Sequence, residues 1–477
     1  MDSTELLRDI SEYCRRAGVA ESTFGRLAVN DGKFVNRLRY GGRVTPTTLE
    51  RVRGYIAEHG ASPGGRGLLA APRTRRGTSA EMPPTREAPR PAPASAPGAE
   101  ADVSPERDFR FFDNRQKYLL FVNTCSEKWV IAQRVGMELA NLHPRPPALR
   151  VFDAGVGDGT VLARVMRAMH HRFPAMPFHI VGKEISLEDV RLTLDKMPDR
   201  FFEHPASVLV LTNLNYSEAP WLMPASVAAA TSLVWHEVAL EGTTASEFEE
   251  QISALQPFLA ENWRAHVSPR SGNPVYERPV VLVIHRADHR FLLDQVIPRR
   301  GATRADYDLV IASQPYRARA DVGFKARRVL APLARALGPG GRLLGVQSHG
   351  GDPGLEIVRR IWPDEDPFVH DRHLLLKATK AELGAAARHL NFNAYADARS
   401  LFRYDMHALP NEMSGSIGTS TLFAAWNAAI YVAQIEDARL EAAVADGRYL
   451  DATRDVLGRH GALWFWDESY VISRKRD

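Results

Sequence analysis

The stretch Leu149 to Leu162, LRVFDAGVGDGTVL, constrains this chain more than any other. Val151 and Phe152 end a short apolar strand, Asp153 closes it, and Gly155, Gly157 and Gly159 alternate through a tight turn. Val161, Leu162, Val165, Met166 and Met169 then recur at helical spacing. Glycine suits such a turn because a Cβ would keep a ligand away from the backbone and because positive φ is open to it. The helix start offers unpaired N–H groups and a partial positive charge to a carboxylate or a phosphate. The D-x-G-x-G-x-G spacing differs from the G-x-G-x-x-G of dinucleotide binders, which disfavours a nicotinamide-linked oxidoreductase.

At 477 residues the chain has room for two or three domains around this unit. Its net charge of +4 permits contact with nucleic acid without requiring it. Cys14 and Cys125 stand too far apart for a metal or redox motif, so no metal is expected and both thiols should be reduced. No run approaches the ~18 apolar residues of a membrane span. The start, MDSTELLRDI, lacks the layout of a signal peptide, and the expected location is cytoplasmic.

Residues 1–60 read as a small helical module. Leu6, Leu7, Ile10 and Tyr13 mark one helix, Phe24 and Leu27 a second, Phe34, Val35 and Leu38 a third, and Leu49, Val52 and Ile56 a fourth opened by Pro46. Two short helices joined by a tight turn, the second basic, are similar to the helix-turn-helix of the lambda-repressor-like family. Lys33, Asn36, Arg37, Arg39 and Arg43 could then meet DNA. Residues 1–62 hold ten Lys or Arg against eight Asp or Glu, a net of +2, which suits a protein partner equally well. Residues 61–106 turn to Pro, Ala, Gly, Ser and Arg, a composition expected to form a disordered linker.

Residues 107–146 are aromatic-rich, then helical, and directly precede the glycine turn, where they could cap a bound ligand. Phe111, Tyr118, Phe121 and Trp129 could close the site, with Asn114, Arg115 and Lys117 toward a substrate; packing against the sheet is the competing reading. The catalytic domain is expected over 147–477. Phe178–Val181 forms a second strand, and Glu184 after it is placed to accept hydrogen bonds from both ribose hydroxyls of an adenosine ligand. A helix over 187–197 leads to a third strand, 207–211, and the turn Thr212–Tyr216. An insertion over about 217–300 should carry a helix, 246–263, and a strand pair, 280–284 and 291–296, that builds a substrate pocket or a dimer surface. A fourth strand, Tyr307–Ala312, runs into Ser313-Gln314-Pro315-Tyr316. A helix over 321–337 precedes Leu337-Gly338-Pro339-Gly340-Gly341-Arg342-Leu343 and a fifth strand ending near His349. The C-terminal part predicts helices over 377–390 and 424–444 and a last strand, 463–472, with 419–432 apolar enough for a core helix or a homodimer face.

The D-x-G-x-G-x-G turn, the strand-end glutamate and the L-x-P-G-G-x-L run together resemble the class I methyltransferases over about residues 147–350. That resemblance implies a Rossmann-like α/β sheet closed by an antiparallel C-terminal strand. It also implies S-adenosylmethionine (SAM) as cofactor, held by Asp153, Gly155, Gly157, Gly159 and Glu184, with Asn213 at the adenine and Asn215 in reserve. Ser313 to Tyr316 resembles the [DNS]-P-P-[YFW] tetrapeptide of amino-group methyltransferases, in which the first side chain meets the target nitrogen and the aromatic ring stacks on the substrate. Gln314 departs from the usual proline. Ser313, Tyr316 and His349, the last as a general base, are therefore the acceptor-side candidates, the acceptor itself being of unknown class. The alternative from another class is a DNA-binding regulator whose methyltransferase-like domain senses SAM without catalysis.

Overall fold

The computed structural model describes residues 3–17, 21–29, 31, 34–39, 46–59, 115–268, 274–407, 417–445 and 447–476. The chain divides into two compact units, 1–100 and 101–477.

The first unit holds four helices, α1 (Ser3–Ala17), α2 (Glu21–Val29), α3 (Phe34–Arg39) and α4 (Pro46–His59). Their apolar faces meet around Ile10, Phe24 and Val52, all fully buried, with Tyr13, Phe24 and Tyr55 in edge or tilted ring contact. Of the proposed DNA contacts, Lys33 and Arg43 lie outside the described residues, as do the side chains of Asn36, Arg37 and Arg39. The linker 61–106, Phe111 and Asn114 lie outside them too.

The second unit is a Rossmann-like α/β fold. Its strands in chain order are β1 (Leu149–Asp153), β2 (Phe178–Lys183), β3 (Ser207–Thr212), β4 (Val234–Leu240), β5 (Ala265–Val267), β6 (Pro274–Tyr276), β7 (Val280–Arg286), β8 (Tyr307–Ser313), β9 (Leu337–Ser348), β10 (Leu390–Asn393), β11 (Leu401–Asp405) and β12 (Trp464–Arg474). Ten of them form one sheet in the order β10-β12-β9-β8-β1-β2-β3-β7-β4, with β11 also paired to β12. The five central strands, β3, β2, β1, β8 and β9, are parallel. They are covered on both faces, which is why they read as unbroken apolar runs. Alternate residues go to opposite sides. Val151, Ile180, Leu209 and Ile311 pack under α6 (Glu127–Leu139) and α7 (Thr160–Arg172). Phe152, Val181, Val210 and Val310 pack under the segments 326–335 and 372–383.

A third cluster joins α5 (Arg115–Thr124) to the C-terminal helices. Phe121 sits among Tyr404, Tyr431 and Phe465, and Asn427 donates to the Lys117 carbonyl at 3.0 Å. The apolar helix Thr419–Val432 is thereby a core element. No helix of the described residues is long and apolar enough to cross a membrane.

Several local expectations are corrected. The segment 291–296 is not a strand: Arg290–Leu293 is a helical turn with Phe291 98% exposed. The strand beside β7 is β4, in parallel register from Val234↔Val280 to Leu240↔Arg286. The expected helix 246–263 is two, Ala245–Ser253 and Gln256–Asn262, because Pro257 has no N–H to carry the first helix onward. The helix expected over 321–337 widens to a π turn at Ala326–Leu330, just before Pro332. The helix expected over 377–390 is Arg372–Leu383 followed by a 3-10 turn. The one expected over 424–444 breaks between Val432 and Asp437, where Gln434 takes φ 52°. The Pro-Gly-Gly run lies within β9, as an irregularity between the pairs Tyr307↔Leu337 and Leu309↔Arg342, and the fifth strand therefore starts at Leu337.

Candidate active site at the carboxyl edge of the sheet

The chain crosses from one half of the sheet to the other between β1 and β8, and doubly wound sheets collect ligands in the crevice at the carboxyl ends of such strands. The pairing Asp153↔Ile311 places Ser313 two residues beyond the partner of Asp153, and Ser313 pairs with Val346 on β9. Strand register alone therefore puts the glycine turn, the Ser313–Tyr316 turn and the end of β9 along one edge.

The glycine turn is stitched to both neighbours: Ala154 N donates to Ile311 O at 2.8 Å and Val156 N to Lys183 O at 3.2 Å. Gly157 and Gly159 take φ of +56° and +78°. A Cβ on Gly159 would stand 2.8 Å from Thr193 Cα, because α7 begins hard against α8 (Leu187–Leu194). Gly155 differs: it is exposed, and a Cβ there meets nothing within 4 Å.

Glu184 closes over this turn. Its Oε2 accepts from Gly157 N at 2.9 Å, its Oε1 from Ile185 N at 2.8 Å and Ser186 N at 2.9 Å. The indole of Trp263, at the end of an inserted helix, donates to the Glu184 carbonyl at 3.1 Å. Burial raises the Glu184 carboxyl, and the charge of Asp189 raises it further. Asp153 is buried at the strand end with its Oδ1 accepting from Gly155 N at 3.2 Å; burial, outweighing that hydrogen bond, pushes it up to about 7. For Asp158 the balance runs the other way: burial raises it, but Lys128, Thr160 and Lys196 together hold it below its ordinary value. The edge of the turn is thus a ring of carboxylates.

The cap helices reach this ring. Tyr118 Oη lies 3.3 Å from Asp158 N and 3.4 Å from Asp158 Oδ1, and a Cβ on Gly157 would meet it at 3.2 Å. Lys128 Nζ stands 5.7 Å from the Tyr118 ring centroid and 3.6 Å from Glu127. The other cap residues do different work. Phe121 is core, Lys117 pairs with Asp437 at 2.6 Å, and Trp129 is half exposed, stacked on His407 with Arg164 above it. Lys128 and Glu127 were not singled out from the sequence, since a Glu-Lys pair opening a helix looks like ordinary helix-start chemistry.

Asn213 is engaged elsewhere. Its Nδ2 donates to Arg278 O at 2.9 Å and its Oδ1 accepts from Val280 N at 2.8 Å, so both ends of the amide anchor β7 to β3. Those bonds use one N–H and one lone pair of the amide and leave one of each, on a side chain that is 1% exposed. The reserve, Asn215, is exposed.

On the acceptor side Gln314 holds φ 48°, with its Nε2 3.1 Å from Ser348 Oγ and 3.4 Å from Asp467 Oδ1. Ser313 is half-buried beside it. Tyr316 is buried, its Oη donating to Gln347 Oε1 at 3.1 Å and lying 2.9 Å from Tyr470 Oη, with Lys325 Nζ 5.0 Å from its ring centroid. The tyrosine expected to stack on a substrate thus has its hydroxyl held by Gln347 and Tyr470. His349, half exposed, has a partner that the sequence did not show: its Nδ1 is 3.7 Å from Glu468 Oε2, which Arg372 Nη1 reaches at 3.0 Å. Gln347 Nε2 donates to Glu468 Oε1 at 2.7 Å.

Asp467 and Glu468, both fully buried on β12, are the largest omission from the sequence reading. Asp467 Oδ2 has no hydrogen-bond partner among the described residues, and burial followed by the charges of Glu127 and Asp352 pushes its carboxyl well above the ordinary range. The available signal was two adjacent acids inside the apolar run LWFWDESYVI, where alternation would have placed one of them inward.

No family model and no curated protein matches the chain. Among solved structures it is similar to a candidate sarcosine dimethylglycine methyltransferase from Galdieria sulphuraria, at 11% identity over 73% of this chain and 85% of that one, TM-score 0.26. It is also similar to a geranyl diphosphate methyltransferase solved with that diphosphate and sinefungin, at 12% identity over 72% and 78%, TM-score 0.27. A third is phosphoethanolamine N-methyltransferase 2 of Haemonchus contortus, at 11% identity over 72% and 52%, TM-score 0.24. Likeness at this level assigns the chain neither a substrate nor a mechanism.

Proposed function

We propose that the chain is a SAM-dependent methyltransferase acting on a nitrogen acceptor. The observation that carries the reading is the 2.9 Å contact between the Glu184 carboxylate and Gly157 N–H in the glycine turn that leads into α7. A helix N-terminus behind a glycine turn normally suits a phosphate, yet Asp153, Asp158 and Glu184 crowd this one and would repel a pyrophosphate. The same carboxylates suit a ligand with cationic sulfonium and ammonium groups and a ribose diol. The donor set therefore fits SAM: Glu184 for the ribose hydroxyls, the open face of Gly155 for the methionine backbone, Asp153 and the Lys128–Tyr118 pair for its charged end.

When bound, SAM supplies an electrophilic methyl group whose sulfonium is a good leaving group, so the protein's work is positioning and desolvation. Ser313 and the strand-end carbonyl orient the acceptor nitrogen, Tyr316 walls the pocket, and His349, held by Glu468, takes the proton that the nitrogen gives up. In this reading residues 107–146 cap the catalytic domain, and residues 1–60 are a recognition module for DNA or protein tethered by 61–106.

The test is to incubate the intact chain with methyl-labelled SAM and cell extract separated into small-molecule, protein and nucleic-acid fractions. Label should enter one fraction and stay absent with Glu184→Ala. SAM binding without transfer to any fraction overturns the enzymatic reading and leaves the SAM-sensing regulator.

Asp153 adds a pH dependence. Its folded value, about 7, lies above the ordinary carboxylate value, so the folded chain holds an extra proton between roughly pH 4 and 7 and loses stability as pH rises through that window. A cationic ligand favours the ionised form, so SAM affinity should rise from pH 6 to 8 with proton release on binding. Calorimetry in two buffers of different ionisation enthalpy reads that proton; Asp153→Asn should flatten the profile, and an unchanged profile rejects the assignment.

A further inference from the structure

Beside the Ser313–Tyr316 turn lies a narrow pocket lined by Gln314, Tyr316, Lys325, Ser348, Phe368 and His370. Lys325 is 1% exposed, yet no carboxylate stands within ion-pair distance of it among the described residues. Its Nζ donates to Ala318 O at 2.6 Å and lies over the Tyr316 ring, which leaves two N–H donors without an acceptor. The nearest acids are committed: Asp321 caps Phe324 N at 2.9 Å, and Glu468 lies behind Gln347, bound to Arg372 at 3.0 Å. His370 Nδ1, which also lines the pocket, is a second buried polar atom with no partner among the described residues.

Charge and burial agree. Burial draws the Lys325 ammonium down to about 8 against the pull of Asp321 and Glu468, and His370 is held below its ordinary value by burial and then by the Lys325 charge. A buried cation lacking a counter-ion costs stability unless a ligand supplies one. Such a deficit beside an acceptor turn specifies which end of a substrate enters there.

Resting on the functional reading above, we propose that the nitrogen acceptor carries an anionic oxyacid group, a carboxylate or a phosphate, which seats between Lys325 Nζ and His370 Nδ1. The space there is about 10 Å³, enough for one oxygen of that group, so the rest of the molecule lies outside it, on the Ser313 side. Acceptors with a neutral or cationic end are rejected, because they leave the buried ammonium unpaired.

The test is calorimetric titration of the full chain, loaded with S-adenosylhomocysteine, with sodium acetate, inorganic phosphate and methylammonium. Acetate or phosphate should bind saturably and methylammonium should not, and the tighter of the two anions names the group. Lys325→Met should weaken the anion by at least about tenfold, Lys325→Arg should keep it within about threefold, and His370→Phe should weaken it several-fold. Absence of saturable anion binding, or equal binding in Lys325→Met, overturns the proposal. Should Lys325→Met fail to unfold cooperatively, His370→Phe decides in its place: undiminished binding there overturns the proposal. Failure of S-adenosylhomocysteine itself to bind overturns the reading of the glycine turn instead, and the anion titration of the unloaded chain still decides this pocket.

Discussion

Glu184→Ala is expected to weaken binding of SAM and of S-adenosylhomocysteine by about a hundredfold or more, close to 2.8 kcal/mol. Two losses add in that variant. The carboxylate no longer receives the ribose hydroxyls, and Gly157, Ile185 and Ser186 lose the acceptor that aligns their N–H groups. Charge-assisted hydrogen bonds are the strong ones, so Glu184→Gln should fall between wild type and alanine. Titration calorimetry of the intact chain reads both variants. A wild-type chain that binds neither ligand, or an alanine variant that binds as well as wild type, removes the central inference and makes the N-terminal helical unit the better starting point.

Arg372→Met should cost about 3–5 kcal/mol of unfolding free energy, because it strands Glu468 as an uncompensated buried charge. The side chains of Arg372 and Glu468 are 5% and 1% exposed, and their contact is 3.0 Å. The second partner of Arg372, Asp397, is 74% exposed, so that half of the interaction contributes little. Adding Glu468→Gln in the Arg372→Met background should recover much of the loss, since the amide keeps the geometry and removes the charge. Urea unfolding measures both. A loss below about 1 kcal/mol overturns this account of the pair.

The legible parts of this protein are those set by short-range rules. Alternation and apolar runs place the central strands within a residue or two, and the turn Asp153–Gly159 is readable because its φ angles are local: glycine takes +56° at Gly157 and +78° at Gly159 without the steric cost of a Cβ. Glu184 is likewise legible, as an acid one step beyond a strand. The breaks before Pro332 and around Pro257 were readable in principle, since proline removes a donor wherever it stands.

What only the tertiary structure decided is which distant groups meet. Asn213 looks free until β7 arrives from the insertion and takes both ends of its amide. Asp467 and Glu468 look like ordinary strand residues until β12 pairs with β9 and sets them opposite Ser348 and Gln347. Tyr316 looks like a stacking ring until Tyr470, 154 positions away, pins its hydroxyl. A backbone torsion or a period of 2 or 3.6 is settled within a few residues, so sequence alone determines it. A buried polar group takes whichever partner the packed sheet delivers, and that delivery depends on strand order, which no local stretch encodes.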